Sequence, residues 1–244
     1  MPALPSRVDV SAERHSIALP DGKLALVLHV PDVPGRVPCV VACHGLSASK
    51  DSDKYLLLAE ALPGAGLALA RFDFRGCGES SGREEDTTIA TRLEDVEAVL
   101  THLDGHPRLD GRIGLLGSSL GGFVALFVAA RRRNTPIVTW NAPSSLTELA
   151  NDDLRDNRGL GVPFALEYMS GRYALAPKGV PHHLVVHGEA DDVVGLDHGM
   201  QLLDQAAEPC DLLVIAGGDH RLTDPAHRAQ AVAASRDWLR GFLP

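Results

Sequence analysis

Ser119 stands at the centre of Gly117-x-Ser119-x-Gly121 in the stretch GSSLGG, residues 117–122. Glycines at this spacing suit a serine nucleophile held on a sharp turn from a strand into a helix, where bulk two positions away would collide. The same pattern recurs earlier as Gly78-x-Ser80-x-Gly82 in GESSG. Context separates the two serines. Ser119 follows the apolar run IGLLG and leads directly into LGGFVALFVAA, which reads as a strand and then a helix. That helix would aim its N-terminal amides at a developing negative charge. Ser80 sits in DFRGCGESSG and precedes REEDTT, which is too polar for a buried helix. Ser119 is therefore the candidate nucleophile and Ser80 a turn residue.

A serine hydroxyl needs a base, and the base needs an orienting acid. Among the eleven histidines, His220 is best placed, because it follows the apolar strand in DLLVIAGGDH and precedes the last helix. His102, His106, His198 and His227 fall in or beside helical segments and read as solvated; His29, His182 and His183 lie in or at the start of strands. His44 follows a strand but precedes the glycine of HGL and reads as a structural hydrogen-bonding residue. For the acid, HGEADDVV supplies Asp191 and Asp192, and either could reach the imidazole. Asp191 is the choice, because the DVV that follows it turns toward the next helix; Asp192 stays open. Two backbone amides must then hold the tetrahedral oxygen of an acyl-transfer intermediate. Leu120, next to the nucleophile, supplies one. Leu46 of HGLSAS supplies the other, with Gly45 allowing close backbone approach.

These positions require a scaffold that brings strand-following loops together. Two strands, HSIAL and KLALVLHV, are joined by the turn PDG. Short apolar runs at 37–43, 67–72, 112–117, 136–140, 182–188 and 211–218 then alternate with helical segments at 54–66, 88–103, 120–133, 195–208 and 223–243. The segment 88–103 is the clearest amphipathic helix, with Ile89, Leu93, Val96, Val99, Leu100 and Leu103 on one stripe. Such alternation predicts an α/β fold with a mostly parallel central sheet flanked by helices. Ligands bind such sheets outside the carboxyl ends of the strands, where Ser119, Asp191 and His220 all fall. Residues 141–178 break the pattern and read as an inserted cap with one or two short helices inside a single domain, 1–244.

Composition narrows the partners. A chain of 244 residues buries on the order of 70% of its unfolded surface and needs no staples. Its formal net charge of −9 argues against nucleic acid, which demands a basic stripe. The basic run at 131–133 reads as support for a helix C-terminus. Cys39, Cys43, Cys77 and Cys210 show neither a disulfide framework nor metal-ligand spacing. No signal-peptide core and no apolar run of membrane-spanning length is present, so the expectation is a cytoplasmic protein without membrane contact. The sequence leaves a homodimer open.

With these residues assigned, the chain resembles the α/β-hydrolase superfamily over nearly its whole length. The likeness rests on HGLSASK (44–50), ALARFDFRGCGESSG (68–82), GSSLGG (117–122), HGEADDVV (187–194) and GGDHRL (217–222). It looks most like the small cytoplasmic serine esterases, including feruloyl (cinnamoyl) esterase-like members. The resemblance implies the α/β-hydrolase fold, the triad and oxyanion roles above, and a cap between the sixth and seventh strands. It also implies a loop DFRGCGESSG beside the site, with Asp73 and Arg75 chiefly structural. Two departures stand out: serine at 118, where many relatives carry a larger residue, and a short insertion. Phe164, Tyr168, Met169 and Tyr173 either line an acyl pocket or pack the cap onto the body.

The expected reaction is hydrolysis of a small-molecule carboxylic ester through an acyl-enzyme, with no metal or organic cofactor. A serine at the turn excludes relatives that use aspartate or cysteine there. Thioesterase, lactonase and peptidase activities share the machinery. A non-catalytic binding protein of the same fold is the rival from another class.

Overall fold

The computed structural model of the chain describes residues 10–132, 134–147 and 160–244. Its strands are β1 (Val10–Leu19), β2 (Gly22–Pro31), β3 (Val37–Cys43), β4 (Ala68–Phe72), β5 (Leu109–Ser118), β6 (Ile137–Trp140), β7 (His183–Gly188) and β8 (Cys210–Ile215). They form one sheet in the order β1-β2-β4-β3-β5-β6-β7-β8. The pairings β1/β2 and β2/β4 are antiparallel, and every pairing from β4 through β3 to β8 is parallel. The described helices are α1 (Asp53–Ala61), α2 (Ile89–Leu103), α3 (Leu120–Arg131), α4 (Val162–Met169), α5 (Leu196–Gln205) and α6 (Pro225–Phe242).

Burial on both faces explains the unbroken apolar runs of the central strands. All of β3 is buried; Cys39, Val41 and Cys43 point into the core packed by α2, α3 and α5, while Val40 and Ala42 face α1 and α6. The stripe anticipated on α2 is buried along its length, and a Thr88–Thr91 capping box closes the start of the helix. There the Thr91 N–H donates to Thr88 Oγ1 at 3.1 Å and the Thr88 N–H to Thr91 Oγ1 at 2.8 Å, satisfying two otherwise orphaned donors.

Two boundaries differ from the sequence-based expectation. Strand β1 starts at Val10, five residues before HSIAL, and its outer residues are exposed. An edge strand with one solvated face carries no apolar signature there. Helix α1 stops at Ala61, because Pro63 opens a separate 3-10 turn that Gly66 ends at φ 83°.

Within the expected cap, residues 148–159 lie outside the described set. The helix that is described, α4, docks through Glu167, whose carboxylate accepts from the Ile89 N–H (2.5 Å) and the Ala90 N–H (3.0 Å). A carboxylate on the first amides of α2 complements the positive end of that helix. Among the described residues no helix is long and apolar enough to cross a membrane.

Candidate active site

Ser119 joins β5 to α3 with φ 53° and ψ −129°, a conformation that non-glycine residues rarely adopt. Close packing enforces it. A Cβ on Gly117 would lie 2.5 Å from the Gly121 carbonyl oxygen, and one on Gly121 would lie 2.3 Å from the carbonyl oxygens of both Cys43 and His44. The start of α3 is thus pressed onto the end of β3. The Ser119 N–H donates to the Trp140 carbonyl at 2.8 Å, anchoring the bend to β6 as well.

Two further loops converge on this bend. His220, from the loop after β8, places Nε2 3.1 Å from Ser119 Oγ. Its other ring nitrogen, Nδ1, lies 2.8 Å from Asp191 Oδ2 in the loop after β7. The Asp191 carboxylate is wholly buried, and its Oδ1 accepts from the Val193 N–H (2.9 Å) and the Val194 N–H (2.8 Å). Asp192 is exposed. With Oδ1 occupied by amides, Oδ2 is left to receive the Nδ1 proton, which leaves the Nε2 lone pair facing the serine hydroxyl.

The β3–α1 loop forms the third wall. A Cβ on Gly45 would sit 3.1 Å from Ser119 Cβ, so the backbone there passes close to Ser119. Leu46 and Leu120 both line the cavity around Ser119. Neither of their N–H groups donates to another group among the described residues. The loop is tied down on each side: the Ser47 N–H donates to Glu84 Oε1 at 2.9 Å and the Lys50 N–H to Asp73 Oδ1 at 2.7 Å. His44 belongs to this scaffolding. Its Nε2 accepts from the Phe74 N–H at 3.1 Å, so its Nδ1 donates to the Gly45 carbonyl at 2.8 Å. Burial holds its pKa down to about 4, keeping the ring neutral.

Ser80 has a different occupation. Its Oγ donates to the Asp73 carbonyl at 2.6 Å and accepts from the Ala25 N–H at 2.9 Å, pinning the DFRGCGESSG loop to β2. Asp73 and Arg75 are structural in the same way: Asp73 holds Lys50 and the Glu79 N–H, and Arg75 pairs with the buried Asp95.

Residues 36–142 match the family described as serine aminopeptidase, S33. An uncharacterized protein of Mycobacterium tuberculosis is 30% identical over 193 residues, covering 76% of this chain and 64% of its own length. The human mitochondrial palmitoyl-protein thioesterase ABHD10 is 23% identical over 242 residues, covering 82% of this chain and 74% of that protein. Among solved structures, Est1E from Butyrivibrio proteoclasticus with bound ferulic acid superposes with a TM-score of 0.77 at 20% identity, covering 92% of this chain and 97% of that one. The fold is that of the α/β hydrolases.

The cavity around Ser119 encloses about 660 Å³. Its apolar wall differs from the one expected. Phe164 lines it, joined by Leu146, Leu160 and Val193. Tyr168, Met169 and Tyr173 do not. Met169 is 79% exposed, Tyr168 reaches the Thr147 carbonyl at 3.4 Å, and Tyr173 is buried edge-on against Phe127. The turn of α4 explains the division, because it carries Phe164 inward while Val162, Leu166 and Met169 face outward.

Two residues at the site carried no role in the sequence reading. Asn141, the first residue after β6, has φ 49° and is buried. Its Nδ2 donates to the carbonyls of Asp219 (3.1 Å) and His220 (2.7 Å), and its Oδ1 accepts from the Gly188 N–H (2.9 Å). The signal was available: an asparagine directly after a strand, a type that tolerates the left-handed conformation. Lys54 lines the cavity and donates to Ser118 Oγ at 2.8 Å. Burial, with the nearby Arg221 and Arg228 cations, lowers its pKa to about 8 against the pull of Asp219 and Asp191.

Proposed function

We propose that the protein is a serine hydrolase that cleaves carboxylic esters through an acyl-enzyme. The observation that carries this reading is the unbroken chain from Asp191 Oδ2 through the His220 ring to Ser119 Oγ, at 2.8 and 3.1 Å. His220 Nε2 takes the hydroxyl proton as Ser119 Oγ attacks the ester carbonyl. Asp191 orients the imidazole and stabilises the imidazolium that forms. The amides of Leu46 and Leu120 receive the oxyanion, a contribution of around 3 kcal/mol per donor in such sites. Protonated His220 then releases the alcohol, and water repeats the sequence to free the acid. The residues act within a single domain, with the 141–178 segment as its cap.

Thioesters are the second reading, supported by the similarity to the ABHD10 thioesterase. The same atoms serve both reactions, and the acyl group is what separates them. The test combines a fluorophosphonate probe with p-nitrophenyl esters of increasing chain length, methyl ferulate and an acyl-thioester. Ser119 takes the label, and Ser119→Ala abolishes turnover. Labelling at Ser80, or turnover retained in Ser119→Ala, overturns the assignment.

A further inference from the structure

Away from the candidate active site, four side chains meet between the edge strand β1 and the end of α2. Glu13 and His15, two apart on β1, project from the same face. His102 lies in the last turn of α2, and His106 lies three residues beyond its end. This is the edge of the sheet from which β5 departs, opposite the carboxyl ends that carry Ser119, Asp191 and His220. Glu13 Oε2 lies 3.5 Å from His15 Nε2 and 3.2 Å from His106 Nε2. One ligand atom from each of Glu13, His15 and His106 lies within 4.8 Å of the others.

From these contacts we infer that Glu13, His15 and His106 form a binding site for a divalent transition metal, with zinc the best fit. Tetrahedral ligands 2.0–2.1 Å from zinc stand about 3.3 Å from one another, close to the two separations measured through Glu13. The hydrogen bonding points the same way. His15 Nδ1 lies 3.2 Å from His102 Nε2. When Nδ1 donates that proton, His15 Nε2 turns a bare lone pair toward a carboxylate oxygen. That buried Nε2 has no hydrogen-bond partner. A cation between the two lone pairs removes the repulsion, and His102 then plays the orienting part that a partner of a ligating imidazole commonly plays. Two imidazoles and one carboxylate suit zinc and disfavour magnesium or calcium, which take oxygen ligands. Water completes the fourth position. The consequence is a staple: β1, which among the described residues pairs in the sheet with β2 alone, becomes fastened to the turn that follows α2.

Thermal unfolding of untagged, chelator-treated protein, with and without zinc sulfate, tests the site. At free zinc a hundredfold above Kd, Tm rises by about 5–10 °C. Magnesium at the same concentration leaves Tm unchanged. His106→Gln and Glu13→Gln each keep a polar group in place and lose the zinc-dependent rise, while turnover of a p-nitrophenyl ester without zinc is unchanged. Calorimetric titration gives one zinc per wild-type chain and none in either variant. A wild-type Tm unmoved by zinc overturns the site, as does a rise that survives both substitutions.

Discussion

The Asn141 side chain grips the backbone of the candidate catalytic base: its Nδ2 donates to the His220 carbonyl at 2.7 Å. The same amide reaches the Asp219 carbonyl and, through Oδ1, the Gly188 N–H at the end of β7. One side chain therefore sets the spacing between the loops that carry Asp191 and His220. Asn141→Ala leaves the Gly188 N–H and the His220 carbonyl without this partner, at about 1–3 kcal/mol for each, while the Asp219 carbonyl keeps the Leu222 N–H at 3.0 Å. Tm falls, but the diagnostic readout is kinetic. Displacing the imidazole by a fraction of an ångström lowers kcat roughly 10–100-fold, while KM for a p-nitrophenyl ester stays within about threefold. A loss confined to KM contradicts the positioning role.

Asp191 and Asp192 are adjacent in the chain, yet only Asp191 reaches the imidazole. Asp191→Asn keeps Oδ1 as acceptor for the Val193 and Val194 amides, so the loop retains its shape. The variant presents an amide to His220 and favours the wrong tautomer, and kcat falls by about 10⁴-fold. Asp192→Asn, on an exposed residue, changes kcat by less than about threefold. Steady-state kinetics on the two variants decides; the opposite ranking moves the acid by one position.

The meeting of Ser119, His220 and Asp191 was legible in the sequence for a common reason. Each follows an apolar strand, and a parallel sheet gathers the carboxyl ends of its strands at one edge. Ser119 carried an extra local sign, since Gly117 and Gly121 are demanded by backbone contacts under 3 Å. The residues that escaped notice act through partners distant in sequence. Asn141 works on carbonyls 78 and 79 positions away, and no periodicity marks it. The cavity wall was legible only in part: of the four candidates Phe164 lines it, whereas Met169 faces out and Tyr173 packs against Phe127, a division set by the turn of the chain and not by residue type. Residues 10–14 of β1 were missed because an edge strand need not be apolar, and with them went Glu13 of the proposed metal site.

Two buried histidines, His183 and His44, and the half-buried His29 make the fold acid-sensitive. Burial lowers the pKa of His183 to about 3 and of His44 to about 4, and burial together with Arg71 lowers that of His29 to about 4. Unfolded histidine titrates near 6.5, so between that value and the folded pKa the unfolded chain binds protons that the folded chain does not. Stability therefore declines as pH falls below about 6.5, by about 1.4 kcal/mol per pH unit for each of the fully buried His183 and His44 and by less for the solvent-screened His29. His183→Gln keeps a polar partner for Thr139 Oγ1, which His183 Nε2 meets at 2.8 Å, and removes one titrating group. Urea unfolding from pH 7 to pH 4 yields a shallower decline for this variant. Parallel profiles for variant and wild type show that His183 takes up its proton in the fold as well.

Lys54 presents the opposite balance, a cation retained at a cost to stability. Its ammonium is bonded to Ser118 Oγ inside the cavity, where Arg221 and Arg228 also stand. With its folded pKa lowered to about 8 against roughly 10.4 in the unfolded chain, the charged form is disfavoured by folding at every pH below 8. Wild-type stability accordingly rises as pH climbs from about 8 toward 10.4, where the folded protein has shed the proton and the unfolded chain has not. Lys54→Met escapes that penalty. At pH 7 its Tm exceeds that of the wild type, by about 2–4 °C for each kcal/mol recovered, and the margin closes as pH approaches 10. Its catalytic effect depends on substrate charge. The loss of kcat/KM for an ester bearing a free carboxylate exceeds the loss for a neutral ester of equal length, because the removed cation faces the space the substrate fills. Equal losses on the two esters show that Lys54 acts only through Ser118, and a lower Tm at pH 7 shows that its charge is compensated in the fold.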